Sequence, residues 1–153
     1  MLRAQVVVTA TVTFDVTLSI FSYSYAVTNN GSLDLAIVTF AGLPANPGTV
    51  MNLSAPTGFG ATYDSGLGLI SFFEDADPAT PQTFAPGSTT APFTFTSFSG
   101  PGAAQFEALD ANGNSFTGPT VAPIPEPSTV SIFALSALLI FGASYRRIRQ
   151  QTC

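Results

Sequence analysis

The chain has 153 residues, room for one domain and a tail, and it contains no lysine, no histidine and no tryptophan. The missing residue types exclude Ser-His and Cys-His nucleophile systems, lysine Schiff bases and Ser-Lys dyads. Residues 1–124 carry one arginine against eight carboxylates, a net of −7, which repels nucleic acid and anionic lipid headgroups.

From the N-terminus, Val6, Val8, Ala10, Val12, Phe14, Val16 and Leu18 alternate with Thr9, Thr11, Thr13, Asp15, Thr17 and Ser19. Period two predicts a half-buried strand. An export signal would place an apolar helical core here instead. For an exported protein the expectation is therefore that the true start lies upstream, or that the chain is a fragment. The apolar phase then shifts to Phe21, Tyr23, Tyr25 and Val27. With no Gly or Pro at the shift, a β-bulge is preferred over a tight corner. Asn29, Asn30, Gly31 and Ser32 form a turn signal in which Asn-Gly accepts positive φ. Residues 33–40 are apolar on both faces and predict a central strand.

Residues 41–48 and 55–60 read as loops, with a short strand at 50–53 between them. Residues 61–63 lead into a turn at 64–66, and 69–73 form a strand. The acidic, proline-interrupted stretch 74–82 predicts an exposed loop. After a turn at 85–87, residues 92–99 form a strand that places Phe93 and Phe95 on one face. Residues 103–109 and 115–121 predict a hairpin around Asp110, Ala111, Asn112, Gly113 and Asn114. Prolines from 119 to 127 predict a stiff extended linker. Turns at this spacing, with no amphipathic helix before the tail, argue an all-β, antiparallel β-sandwich of roughly seven to nine strands. Its expected core is Val12, Phe14, Tyr25, Val27, Leu35, Ile37, Phe72, Phe93, Phe95 and Phe106, with the phenylalanines packing between the sheets.

The tail has three parts in order: Pro125, Glu126 and Pro127; an uncharged run of 18 residues at 128–145; then Arg146, Arg147 and Arg149. As a helix the run would measure about 27 Å, close to the hydrocarbon thickness of a bilayer. Arginines beside a span stay on the cytoplasmic side, so the body lies outside. The only cysteine, Cys153, then falls in the reducing compartment, and no internal disulfide is possible.

Pro125, Glu126, Pro127, Ser128 and Thr129, followed by the span and the arginines, resemble the PEP-CTERM sorting signal of exported bacterial proteins. The resemblance covers about 25 residues. It implies recognition and processing by an exosortase, an integral-membrane cysteine transpeptidase, with delivery to the cell surface or the exopolysaccharide matrix. The body is similar to the immunoglobulin-like sandwiches often attached to this tail, although a Cys-Trp-Cys signature is absent. The expected organisation is a sandwich at 1–118, a linker at 119–127, a transmembrane helix at 128–145 and a basic cytoplasmic tail at 146–153.

Candidate chemistry in the body is sparse. Zinc sites built on His or Cys are excluded. Glu74, Asp75, Asp77, Glu107 and Asp110 qualify by residue type alone for carboxylate-pair glycoside chemistry, and no enzyme activity is expected. Asp110, Asn112 and Asn114 present oxygens at alternate positions, like the start of a Ca²⁺ loop, but Val121 stands where an EF-hand needs its bidentate Glu. A hairpin turn is the weightier reading there. Asn30 and Asn52 head glycosylation sequons, and Phe59 and Tyr63 are candidate sugar-stacking rings against a default of core packing. No cofactor is expected. The reading is an exported, non-enzymatic surface or matrix protein; the alternative is a carbohydrate- or calcium-dependent adhesion module on a plain membrane anchor.

Overall fold

The computed structural model describes residues 5–75 and 82–124. The sorting motif expected at Pro125 to Thr129, the apolar run, the three tail arginines, Cys153 and Asp77 lie outside the described residues. Nine strands are present: β1 (Val6–Asp15), β2 (Ile20–Asn29), β3 (Leu35–Phe40), β4 (Met51–Ser54), β5 (Phe59–Asp64), β6 (Leu69–Glu74), β7 (Thr89–Ser97), β8 (Pro101–Asp110) and β9 (Ser115–Pro123). They form a four-stranded sheet, β1-β2-β7-β4, and a five-stranded sheet, β5-β6-β3-β8-β9. All pairings are antiparallel.

Alternation builds the core. Val6 and Val8 of β1, Tyr23, Tyr25 and Val27 of β2, and Phe93 and Phe95 of β7 point inward from the smaller sheet. Val38 and Phe40 of β3, Ile70 and Phe72 of β6, and Phe106 and Ala108 of β8 meet them from the larger one. Aromatic rings carry the contact between sheets. Phe72 stacks on Phe93 with centroids 4.2 Å apart and planes at 11°. Tyr25 meets Phe40 at 5.0 Å. Phe59 meets Phe93 edge-on at 5.7 Å. Offset and edge-to-face pairs of this kind add stabilisation beyond the area they bury. Both core tyrosines find acceptors: Tyr25 Oη donates to the Val121 carbonyl at 2.8 Å, and Tyr23 Oη donates to the Ser99 carbonyl at 2.8 Å. Burial pushes the Tyr23 hydroxyl up to about 12. Burial, with Tyr23 as a neighbour, pushes Tyr25 higher still.

Four sequence expectations change. The phase shift near Ile20 is a hairpin turn between β1 and β2, not a bulge. Asp15 replaces the missing Gly or Pro: its Oδ1 accepts the amides of Thr17 at 2.8 Å and Leu18 at 3.1 Å, and Ser19 takes φ of 53°. Side-chain capture of backbone amides by Asp is an established turn device. Second, the turn expected at Asn29 to Ser32 is made without the positive φ expected of Asn-Gly. The connection passes from β2 in one sheet to β3 in the other, Gly31 does not need positive φ, and the Asn29 side chain shapes the turn. Third, residues 119–123, expected in the linker, belong to β9, at the edge of its sheet, where a proline's missing N–H is tolerated. Fourth, Phe14 is half exposed, and Val12 and Ile37 are only partly buried. A register shift between Leu35 and Ile37 moves the inward phase of β3 to Val38 and Phe40.

Candidate functional site

Strand direction defines two poles. At one, β1 turns into β2, β5 turns into β6, β7 passes to β8, and β9 ends. This is the pole from which the chain leaves toward Pro125, Glu126 and Pro127. Ile124 is still held there: its amide donates to the Gly100 carbonyl at 3.1 Å. Pro125 is the next residue in the sequence.

The opposite pole holds the calcium-loop candidate, and its oxygens are already engaged. Asp110 Oδ1 accepts the amides of Asn112 and Asn114, each at 2.9 Å, and Oδ2 accepts Asn114 Nδ2 at 2.8 Å. Gly113, with φ of 81°, closes the β8–β9 turn. The donors hold the Asp110 carboxyl below its usual range: chiefly the Asn114 side chain, with the turn amides adding and burial opposing. Among the described residues no cluster of three or more His, Cys, Asp or Glu stands ready for a metal ion. The geometry is that of a hairpin turn.

A depressed carboxyl stabilises the fold above its unfolded value and loses that contribution as pH falls through the folded one. The advantage of the native chain over Asp110→Ala is therefore expected to be constant from about pH 5 to 8 and to shrink below about pH 4, near the ordinary Asp value. Urea midpoints of both proteins across that range check it.

Next to this turn lies a cavity of about 380 Å³ lined by Asn29, Ser32, Asp110, Asn114, Phe116 and neighbours. Asn29 is its buried hub. Nδ2 donates to the carbonyls of Leu33 at 2.8 Å and Phe84 at 2.7 Å, and Oδ1 accepts the Gly31 amide at 2.9 Å. From sequence Asn29 stands only as a turn former; an Asn ending an apolar strand, four residues before Leu33, is the signal of its further role.

The remaining candidates are dispersed. Glu74 ends β6, where burial and the Asp34 charge push its carboxyl up, against a backbone hydrogen bond from Phe84. Glu107 is exposed on β8 and accepts Ser115 Oγ at 2.7 Å. Asp75 donates its amide to the Gly58 carbonyl at 3.1 Å. Phe59 is core, against Phe84 at 4.7 Å. Tyr63 Oη donates to the Pro44 carbonyl at 2.6 Å. Asn52 Nδ2 donates to Thr96 Oγ1 at 3.0 Å. That last bond edges a shallow groove of about 300 Å³ on the outer face of the smaller sheet, floored by Thr11, Thr13, Ser22, Ser24, Thr94 and Thr96. These hydroxyls supply the solvated face that charges supply elsewhere.

No family model matches the chain, and no curated protein matches it. Among solved structures it is similar to an uncharacterized protein from Nocardia farcinica with an immunoglobulin-like fold, at 10% identity and a TM-score of 0.54, covering 78% of this chain and 98% of that one. That likeness shows the fold: the described residues form an immunoglobulin-like sandwich. The chain also resembles the seventh ScaB type I cohesin from Pseudobacteroides cellulosolvens, at 14% identity and a TM-score of 0.40, over 79% of this chain and 94% of that one. A non-cellulosomal cohesin from Archaeoglobus fulgidus is similar at 10% identity and a TM-score of 0.40, over 85% and 98%.

Proposed function

We propose that this chain is an exported, non-enzymatic surface or matrix protein whose C-terminal segment is a PEP-CTERM sorting signal processed by an exosortase. The observation that carries the reading is the order of the tail: Pro125-Glu126-Pro127, an uncharged run, then Arg146, Arg147 and Arg149. The fold supports it, because β9 holds the chain to Pro123 and the motif follows at once. Proline restricts φ and favours extended backbone, the form in which a processing enzyme reads a peptide, and prolines stand on both sides of Glu126. The arginines halt export and fix the orientation.

Replacing Pro125, Glu126 and Pro127 together by alanine leaves the apolar run and the arginines intact. In a host with an active exosortase, the variant is expected to accumulate in the membrane fraction at full length while the native chain is processed. Equal processing of both would remove the motif from the mechanism.

The hydroxyl-floored groove favours a second reading, a carbohydrate-binding adhesion module on a plain anchor. It requires saturable glycan binding that is lost on filling the groove with Thr94→Tyr.

A further inference from the structure

We propose that the pole of the sandwich from which the tail departs is a membrane-contact surface, with the β1–β2 turn and Phe98 seated in the bilayer interface. This rests on the reading of residues 128–145 as a membrane span.

Exposed apolar side chains are unevenly placed. Eight large ones are exposed among the described residues, and six of them, Phe14, Val16, Leu18, Leu67, Phe98 and Ile124, stand at this pole. Val16 and Leu18 are 79% and 64% exposed, and Phe98 is 62% exposed. Scattered single exposures are ordinary; a concentration at one end marks an interaction surface. Phe14 and Ile124 are joined through intervening residues. Phe14 packs on Phe21 at 4.6 Å, Phe21 lies beside Gly100, and Gly100 accepts the Ile124 amide at 3.1 Å.

The turns themselves are built alike. Asp64 Oδ1 accepts the amides of Gly66 and Leu67 at 2.8 and 3.1 Å, as Asp15 does for Thr17 and Leu18. In each turn the carboxylate is tied to backbone amides, and a leucine three residues on projects outward. Meanwhile Asp34, Glu74, Asp75 and Asp110 occupy the far pole. A bilayer is therefore met by apolar side chains; four of the seven carboxylates among the described residues are held at the far pole, and the two at this pole, Asp15 and Asp64, are tied to turn amides.

The occupant follows from chain length. Only Pro125, Glu126 and Pro127 separate Ile124 from the apolar run, and three residues reach roughly 10 Å at full extension. This pole thus stands within that distance of the membrane, where side chains of this kind enter the acyl boundary.

The chain has no tryptophan, so Leu18→Trp supplies a single reporter, and Asn112→Trp at the far turn supplies its control. Full-length chains are reconstituted in phosphatidylcholine vesicles, and resistance of flotation to alkaline carbonate checks the span. The expected result is blue-shifted Leu18→Trp emission, quenched several-fold more than Asn112→Trp by lipids brominated near the top of the acyl chain. Carbonate-resistant flotation with equal quenching at the two positions overturns the membrane contact and leaves the span standing. Failure to float overturns both. A blue shift without lipid quenching that grows with protein concentration assigns the pole to a second copy and also overturns the proposal.

Discussion

Phe93→Ala is expected to cost about 3–5 kcal/mol of folding stability, the range for deleting a buried phenylalanine. Phe93 is fully buried and sits where the two sheets meet, stacked on Phe72 at 4.2 Å and flanked by Phe59 at 5.7 Å and Phe84 at 5.9 Å. Its partners come from β5, from β6 and from Phe84, which forms an isolated bridge with Leu35, so no single side chain can swing in to fill the void. A domain of this size has roughly 5–15 kcal/mol in total, so the loss approaches unfolding. Phe14→Ala, at a half-exposed position, is expected to cost under about 1 kcal/mol, within the range for surface changes. Urea unfolding of both variants in mild detergent, followed by tyrosine fluorescence, checks the pair. Equal losses would mean that the sheets do not pack through Phe93.

Asn29→Asp is expected to destabilise the fold by about 3 kcal/mol at neutral pH, as expected when a buried polar network loses a donor and gains a charge. The change is nearly isosteric, so packing is kept. What it removes is the Nδ2 donor that serves the Leu33 and Phe84 carbonyls. What it adds is a carboxylate facing those same oxygens. Burial and carbonyl neighbours raise the folded-state pKa of such a group. Its penalty is therefore small below the unfolded value and grows as pH rises through the folded one. The expected signature is a variant closer to the native protein near pH 4 than at pH 7, read from urea midpoints at both. A loss independent of pH would mean that the new side chain turns out to solvent and that the hub is not closed.

The contrast between Phe93 and Phe14 shows what the sequence could and could not reveal. Alternation placed both on the inward phase, correctly for each strand. Only the assembled sheets show that β1 and β2 run past the core at their shared turn, leaving Phe14 over the edge against Phe21. Ile37 failed for a different reason: the register shift after Leu35 inverts the phase inside one strand, and no residue type announces it. The β1–β2 turn was hidden because a carboxylate, rather than Gly or Pro, does the turning. Gly60 reads as a loop residue, yet it pairs across strands with Phe73, and Gly118, inside the strand expected at 115–121, pairs with Phe106. A Cβ at either would collide with that ring, so glycine here serves cross-strand packing rather than chain reversal.

What was legible came from strong local chemistry. Phe93 and Phe95 share the buried face foreseen for them, and within the expected 33–40 the residues Leu35–Phe40 form the central strand of the larger sheet. The β8–β9 hairpin turns at Asp110 and Gly113 as its composition demanded. In that turn the Asp110 oxygens accept the turn's own donors. The Asn29 hub was not foreseen, because its acceptors at Leu33 and Phe84 come together only when β2 crosses to the second sheet.

The most direct test of the proposed sorting function is the mass and location of the mature protein, expressed in a host with a demonstrated exosortase. The proposed reading requires loss of the mass of the apolar run and basic tail, with a folded sandwich recovered from the medium or matrix. An intact chain that stays in the membrane fraction of that host would contradict it, and would leave an immunoglobulin-like ectodomain on a permanent anchor.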